Sequence, residues 1–286
     1  MSADARPLTV PDLLAMKTAV RRIVMLTCYD AAFARLLEQA DVDVLLVGDS
    51  VNQVLAGHET TLSATLDQMI YHAASVRRGS RRALVFVDLP FLTYQVSVSE
   101  AIRNAGRVLQ ESGAHGVKLE GGRPMAETVR ALVDRGIPVI GHLGLTPQSA
   151  TALGGFRLQG KSAAAAKRIV DDARLLEEAG AFAILLELVP DRVCGLITER
   201  AQGAIIMGLG SGPHAHGQLL IYHDAFGLYP KFTPRMAKVF ADAGAVIREG
   251  LAGYVREVTE RTFPAPANWF GIKDEEYDEL VALVGR

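Results

Sequence analysis

The sequence is poor in cysteine and lacks the apolar runs that secretion or membrane insertion would need. Its two cysteines, Cys28 and Cys194, cannot form a disulfide framework, and their apolar surroundings predict buried free thiols. No stretch reaches about 18 uninterrupted apolar residues, the length expected of a membrane-spanning helix. Residues 1–11 are polar and contain no signal-peptide core. We therefore expect a protein of the reducing cytoplasm.

The sequence also lacks an excess of basic residues. It has 30 Lys and Arg residues against 32 Asp and Glu residues, which gives a formal net charge of -2. A surface that binds nucleic acid would need a basic face, so this balance argues against such a partner. The chain has 286 residues and is 49% hydrophobic, which suits one α/β barrel better than two ordinary domains. We expect a single domain over residues 1–286.

What the sequence does contain is a regular alternation of short apolar runs and helical patterns. This alternation predicts an α/β protein, a single (β/α)8 TIM barrel with an N-terminal helix and a C-terminal helical tail. A doubly wound sheet is the alternative. The predicted strands cover 22–28, 42–47, 83–87, 116–119, 138–140, 182–186, 204–207 and 219–222. The predicted helices cover 11–19, 30–39, 65–78, 97–112, 124–135, 162–179, 191–201, 234–262 and 274–283.

Acidic residues stand where several of these strands end. Asp49 follows the second strand, Asp88 the third and Glu120 the fourth. The carboxyl ends of barrel strands face one pocket, where carboxylates repel each other unless they share a proton or a cation. Mg²⁺ prefers such oxygen ligands. The alternative is that each aspartate caps the following helix, and we favour the metal because the two aspartates occur together with a glutamate.

Three other ionisable residues lie at predicted strand ends, and each leaves more than one interpretation open. Glu187 follows an apolar strand and is either a desolvated general base or the partner of a core cation. Lys118 could anchor a carboxylate, form a Schiff base or pair with Glu120. His142 could donate to a substrate oxygen or be a structural histidine.

A glycine-rich segment, residues 208–212, follows the seventh strand at a position where barrels often bind phosphate. It lacks the spacing of dinucleotide-binding loops, so close backbone approach at the barrel mouth is the favoured interpretation. His214, His216 and His223 follow, but no zinc-binding motif accompanies them and zinc is not predicted.

Motifs that match one family extend from about Thr27 to Gly227. The most specific is the run Gly141-His142-Leu143-Gly144-Leu145-Thr146-Pro147-Gln148. The other matching segments are Thr27-Cys28-Tyr29-Asp30, Leu46-Val47-Gly48-Asp49-Ser50, Gly57-His58, Asp88-Leu89-Pro90-Phe91, Val117-Lys118-Leu119-Glu120-Gly121-Gly122, Gly154-Gly155-Phe156 with Gln159-Gly160, Leu186-Glu187-Leu188-Val189-Pro190 and His223-Asp224-Ala225-Phe226-Gly227. In these motifs the chain resembles the ketopantoate hydroxymethyltransferase (3-methyl-2-oxobutanoate hydroxymethyltransferase) family.

The resemblance implies a barrel of the phosphoenolpyruvate/pyruvate-like type that works in pantothenate (vitamin B5) and coenzyme A biosynthesis. The implied reaction transfers a hydroxymethyl group from 5,10-methylenetetrahydrofolate to 3-methyl-2-oxobutanoate (α-ketoisovalerate) and gives ketopantoate. Mg²⁺ is the implied cofactor. The resemblance also implies a homodecamer built from pentameric rings.

The resemblance further implies roles for single residues. Glu187 would be the base that takes the proton from C3 of the oxo acid. The implied metal ligands are Asp49, Asp88 and, through water, Glu120. The residues implied to bind the oxo acid, directly or through the metal, are Asp49, Ser50, Asp88, Lys118 and His142.

The sequence departs from the family at a few positions. His216 precedes Gly217 and Gln218 where the family usually has an aspartate, Ala56 stands where Gln is usual, and Ala64 lies near the position of a typical Pro. We therefore expect residues 208–218 to affect the folate donor more than the oxo acid.

Two other functions are compatible with parts of the sequence. A carbon–carbon or carbon–phosphorus lyase or mutase of the isocitrate lyase/phosphoenolpyruvate mutase superfamily would use a similar Mg²⁺ barrel. Those lyases carry a Lys-Cys-Gly-His loop, whereas no cysteine lies near Gly141 and His142. The other alternative is a barrel without catalytic activity that serves only in assembly. The presence of Asp49, Asp88 and Glu187 argues against it, because such a protein would not need these residues.

Overall fold

A computed structural model describes residues 6–229 and 232–285 of the chain. Eight parallel strands form a closed barrel in sequence order, and β1 completes it by pairing with β8. This confirms the predicted TIM barrel; a single domain over residues 1–286 stays a prediction. The strands are β1 (Ile23–Thr27), β2 (Val44–Val47), β3 (Leu84–Asp88), β4 (Gly116–Glu120), β5 (Val139–Gly144), β6 (Ala183–Glu187), β7 (Ile205–Leu209) and β8 (Gly217–Leu220).

Helices fill most connections between strands and are capped by the residues that their sequences offer. Asp30, Thr65, Ser97 and Ser162 accept backbone N–H groups at helix N-termini, as capping residues do. The helices are α1 (Val10–Thr18), α2 (Ala31–Gln39), α3 (Val51–Val54), α4 (Leu66–Gly79), α5 (Val98–Ser112), α6 (Ala126–Val133), α7 (Ala163–Glu178), α8 (Asp191–Arg200), α9 (Tyr222–Ala225), α10 (Ala243–Thr259) and α11 (Asp274–Val284). Short 3₁₀ turns span Arg123–Met125, Pro147–Ser149 and Pro266–Asn268.

The core has two layers because successive strand side chains point to opposite faces of the sheet. One layer fills the barrel interior, and Leu13 and Met16 of α1 pack against it. The other layer lies between the strands and the surrounding helices, and it contains Cys28 and Cys194, which are free and buried as predicted. In the described residues no helix is both long and apolar enough to span a bilayer.

Three predicted boundaries differ from the structure for local reasons. β5 extends through residue 144, so His142 lies within the strand rather than after it. β8 begins two residues earlier than predicted, because Gly217 pairs with Ile23 and Tyr222 already starts α9. The long helix predicted over 234–262 begins only at residue 243, where Asp242 caps α10.

Candidate active site

The carboxyl ends of β2 to β6 bring the predicted site residues to one cavity of about 590 Å³. The strand ends position them because parallel barrel strands all finish at the same face. Six ionisable or hydrogen-bonding side chains there are at most 6% exposed, although each lies beside the cavity. They are Asp49, Asp88, Lys118, Glu120, His142 and Glu187; Ser50, which is half-buried, lines the same cavity.

Lys118 forms a buried ion pair with Asp88 rather than with Glu120. Its Nζ lies 2.6 Å from Oδ1 of Asp88, on the neighbouring strand. Burial alone would lower the pKa of Lys118, but Asp88, Glu120 and Asp49 raise it above its usual value. Lys118 is therefore a permanent ammonium group, which suits it to hold an anion and not to form a Schiff base.

Asp49 and Asp88 do not cap the helices that follow them. Asp88 Oδ2 accepts the backbone N–H of Asp49 at 3.1 Å, and Asp49 Oδ2 accepts Nε2 of Gln148 at 2.9 Å. Burial, followed by the charges of Asp88 and Glu120, raises the pKa of Asp49 well above its usual value. The site therefore holds more buried carboxyl groups than Lys118 alone can neutralise, and Asp49 favours its protonated form unless a further cation is present.

Glu120, His142 and Glu187 form a row across β4, β5 and β6. His142 Nδ1 lies 3.4 Å from Glu120 Oε1, and its Nε2 lies 3.2 Å from Glu187 Oε2. These distances are short, but neither ring nitrogen has the direction of a hydrogen bond within the described residues. Burial and the nearby charge of Lys118 lower the pKa of His142, so the imidazole is neutral.

The two glutamates beside His142 both favour the protonated form more than free glutamate does. Burial raises the pKa of Glu120 to about 7 and also raises the pKa of Glu187. No lysine or arginine pairs with Glu187 in the described residues; the ionisable group nearest to it is the neutral imidazole of His142. A desolvated carboxylate with this environment suits general base work.

Gln148 is a site residue that the sequence reasoning marked only as part of a motif. Its side chain donates to Asp49 and to the Leu89 carbonyl at 2.9 Å each, and its backbone N–H donates to Glu120 Oε2 at 3.0 Å. Tyr94 donates to Gln148 Oε1 at 2.7 Å and also accepts the backbone N–H of Glu120. Gln148 thus ties together two carboxylates from different strand ends.

Tyr29, another residue to which the sequence reasoning gave no role, orients Ser50. The Ser50 hydroxyl lies 2.8 Å from the hydroxyl of Tyr29, which is fully buried. Burial raises the pKa of Tyr29 above its usual value, so this phenol stays protonated. Tyr29 can therefore hold the Ser50 hydroxyl at the cavity wall.

Comparison with known proteins places this site in a family. A family model described as ketopantoate hydroxymethyltransferase matches residues 7–266. The chain belongs to the ketopantoate hydroxymethyltransferase family. It is 47% identical over 271 residues to the 3-methyl-2-oxobutanoate hydroxymethyltransferase of Heliobacterium modesticaldum, covering 95% of this chain and 98% of that protein. The similarly named protein of Syntrophobacter fumaroxidans is 48% identical over 275 residues, covering 96% and 97%. The chain is accordingly a transferase enzyme.

Solved structures extend the fold assignment beyond the family. Phosphonopyruvate hydrolase in complex with oxalate and Mg²⁺ has a TM-score of 0.62 at 14% identity, covering 97% of this chain and 98% of that one. A phosphoenolpyruvate phosphomutase from Streptomyces platensis subsp. rosaceus has a TM-score of 0.61, also at 14% identity, covering 97% and 96%. At this identity the likeness shows the fold, which is the barrel of the phosphoenolpyruvate mutase type.

The donor set of this family member suits a hard divalent cation held by few protein ligands. Within the parts of the chain that the structure describes, no three His, Cys, Asp or Glu side chains are arranged as a complete metal site. Oδ1 of Asp49 receives no hydrogen bond from those same residues, and the nearby carboxyl groups of Asp88 and Glu120 raise the pKa of Asp49, an effect that a bound cation would relieve. Mg²⁺ commonly uses one or two carboxylates and completes its shell with water and substrate. The convergence of Asp49, Asp88 and Glu120 on one cation stays a prediction.

The segment after β7 does not occupy the position that we expected. His216 lies at the amino ends of the strands, where its Nδ1 accepts the Ile206 N–H at 2.9 Å and its carbonyl accepts the Ile23 N–H. The site is at the opposite, carboxyl ends. His216 therefore lies away from the cavity, whereas the effect of residues 208–218 on the folate donor stays a prediction. Close backbone approach does explain Gly212, because a Cβ there would lie 2.5 Å from the Cβ of Asp191.

Proposed function

We propose that this enzyme transfers a hydroxymethyl group from 5,10-methylenetetrahydrofolate to 3-methyl-2-oxobutanoate. The products are ketopantoate, used for pantothenate and coenzyme A, and tetrahydrofolate; water supplies the hydroxyl group. The names of the relatives support this substrate. The observation that carries the chemistry is Glu187, a buried carboxyl group with a raised pKa that no lysine or arginine in the described residues neutralises.

We propose Mg²⁺ as the cofactor, held by Asp49 and Asp88 directly and by Glu120 through water. The support is the excess of buried carboxylates at these strand ends. When bound, the ion supplies Lewis-acid stabilisation of negative charge on the substrate's carbonyl oxygen.

In this proposal, positively charged and hydrogen-bonding groups orient the oxo acid. Lys118 contributes a permanent positive charge for the carboxylate, and Ser50 contributes a hydroxyl held by Tyr29. His142 is neutral and can donate one N–H to the carbonyl oxygen.

Glu187 then removes the proton from C3 of the bound oxo acid. The electron pair of the C–H bond passes to the carbonyl group and gives an enolate. Water cleaves both C–N bonds to the methylene carbon of the donor, which releases tetrahydrofolate and formaldehyde. C3 of the enolate then adds to the formaldehyde carbon, and its oxygen takes up a proton to become the hydroxyl group. Burial suits Glu187 to this step, because a desolvated carboxylate is a stronger base than one in water. Its proximity to His142 places the base beside the group that holds the carbonyl.

We also propose that the enzyme works in the cytoplasm as a homo-oligomer, a homodecamer of pentameric rings by its family likeness, with small molecules rather than nucleic acids or membranes as its partners. Helix α10 supports self-association because it has no buried residue and exposes a row of apolar side chains. The largest are Val246, Ile247, Leu251, Tyr254 and Val255.

Proton exchange tests the proposed base without the folate donor. Wild-type protein with Mg²⁺ and 3-methyl-2-oxobutanoate in D₂O should replace the C3 proton with deuterium, followed by NMR or mass spectrometry. Glu187→Gln keeps the shape but accepts no proton, so exchange should slow by about 10²–10⁴-fold. Glu59→Gln is the matched control, since Glu59 lines the same cavity but is exposed. Undiminished exchange in Glu187→Gln would place the base elsewhere.

A further inference from the structure

The cavity has two chemically different sides. The ends of β2 to β6 supply its cluster of ionisable groups, whereas β7 and β8 supply Leu209 and Leu219, and the segment after β8 supplies Ile221. This second side is an apolar wall into which one carboxyl group, that of Asp224, is set. Ligand pockets commonly combine such walls with a few placed polar groups that fix orientation.

Asp224 is buried without a partner of its own. Asp224 is 6% exposed. No hydrogen bond or ion pair within residues 6–229 and 232–285 reaches its carboxylate. Burial alone raises its pKa to about 6. Neither oxygen of this carboxylate is among the fully buried polar atoms that lack a partner, so the group reaches the cavity, where a ligand with N–H donors would satisfy it.

The backbone holds Asp224 firmly at this position. Its own N–H donates to the Ile221 carbonyl at 3.1 Å, and the carbonyl of the next residue, Ala225, accepts the Phe240 N–H at 2.8 Å. The ring of Tyr222, two residues earlier in the same short helix, stacks on Phe33 with centroids 4.1 Å apart. The carboxyl group is therefore presented on a fixed element and not on a mobile loop.

The size of the cavity leaves room for more than the oxo acid. Cavities of several hundred Å³ hold drug-sized ligands, and this one measures about 590 Å³. A small branched oxo acid bound beside Lys118 and Asp88 would leave the wall of β7 and β8 uncovered. The second substrate must approach the same reacting carbon, so it must lie within this remaining space.

We propose that Asp224 anchors the folate donor by accepting two N–H groups from its 2-amino-4-oxopyrimidine ring. This inference rests on the proposed function and names a subsite for its second substrate. The ring N–H and the neighbouring amino group form a planar fork that matches a carboxylate, as a guanidinium does. The flat bicyclic ring then lies against Leu209, Leu219 and Ile221, whose apolar side chains suit its faces.

An Asp224→Asn variant tests the subsite. The amide keeps one acceptor but points an N–H₂ group at a donor of the ligand. The KM for 5,10-methylenetetrahydrofolate and the Kd for tetrahydrofolate, measured by titration calorimetry, should each rise about 10–100-fold. Deuterium exchange at C3 of the oxo acid, which needs no donor, should stay within about twofold of wild type.

Thermal unfolding separates recognition from a structural role. Asp224→Asn removes an unpaired buried carboxylate, so its Tm should equal or exceed that of wild type. Glu59→Gln, the exposed cavity carboxylate, should leave the tetrahydrofolate Kd unchanged. The inference is overturned if Asp224→Asn binds tetrahydrofolate normally, if it loses stability and exchange together, or if Glu59→Gln is the variant that loses binding. A wild-type enzyme that forms no ketopantoate would instead overturn the proposed function.

Discussion

Replacing Gln148 with alanine should loosen Asp49 while the barrel stays folded. The side chain donates to Asp49 Oδ2 and to the Leu89 carbonyl, and it accepts from Tyr94 and Gln95. Alanine removes all four hydrogen bonds. The backbone N–H of residue 148 can still donate to Glu120, because the 3₁₀ turn Pro147–Ser149 positions it.

The magnitude follows from what each hydrogen bond contributes. A hydrogen bond to a charged group is worth about 1.5–3 kcal/mol and a neutral one about 0.5–1.5 kcal/mol. Water from the adjoining cavity can replace part of this loss, and Tyr94 keeps its contact with the Glu120 backbone. We therefore expect a loss of about 3 kcal/mol in the free energy of unfolding. For a chain of 286 residues, with an unfolding entropy of about 2.1 cal/mol/K per residue, that lowers Tm by about 5 °C.

The Gln148→Glu variant sharpens the test because it conserves volume. It places a carboxylate where the amide now lies 2.9 Å from Asp49 Oδ2, and like charges at that distance disfavour each other. Gln148→Glu should therefore be less stable than Gln148→Ala. Differential scanning calorimetry measures both, with Gln53→Ala as the control, since the Gln53 side chain also lines the cavity but donates only to the Glu59 carbonyl. Equal Tm values for Gln148→Ala and Gln53→Ala, or a wild-type Tm for Gln148→Glu, would refute this reasoning.

Two further predictions concern other buried groups. His115 and His216 each accept a backbone N–H at Nδ1, and burial lowers both pKa values to about 4. Because the unfolded chain binds these protons more readily, stability is full above about pH 6.5 and falls as the pH drops toward 4. Replacing both with Asn, whose carbonyl can accept the same N–H, should flatten the fall of Tm with acidification, and an unchanged slope would contradict this. Lys118→Met leaves Asp88 buried without its cation, so the free energy of unfolding measured in urea should fall by about 3–5 kcal/mol. The control Lys167→Met removes an exposed ion pair and should lower it by under about 1 kcal/mol. Similar losses in both variants would contradict the buried pairing.

The barrel and the position of its site were predictable because both depend on local patterns. A short apolar run that stops at an ionisable residue marks a buried strand end, and parallel topology sends every such end to one face. This logic places Asp49, Asp88 and Glu187 at the barrel mouth from the sequence alone. It also located Lys118 and Glu120, although the interpretation of their contacts differed from the structure.

The contacts were not predictable because they depend on register between strands. One of the three interpretations that the sequence left open for Lys118 paired it with Glu120, two residues along the same strand. In the barrel, Lys118 lies opposite Asp88 and Glu120 lies opposite His142. Neighbouring strands are about 4.8 Å apart, closer than two residues along one strand, so the cross-strand pair forms.

Two residues, Gln148 and His216, differ from the sequence-based expectations because of where their loops lie. The side chain of Gln148 reaches Asp49, 99 positions earlier in the chain, a contact that no local spacing contains. The position of His216, in contrast, follows from a local rule. A residue that immediately precedes a parallel strand lies at the amino end of the barrel, and His216 immediately precedes β8.

The order of the strands around the closed barrel gives a physical reason why the proposed metal ligands and the proposed base lie on different sides of the cavity. A carboxylate that binds a metal benefits from a neighbouring positive charge, whereas a general base works best with a raised pKa. Here Lys118 pairs with Asp88 on the β3–β4 side, while Glu187 on β6 lies beside a neutral His142. The apolar wall of β7 and β8, followed by β1, closes the ring between Glu187 and the β2 end. A folate donor held on that wall would lie next to Glu187, the proposed base, and therefore close to C3 of the enolate. The charged side of the cavity would hold the carboxylate end of the oxo acid.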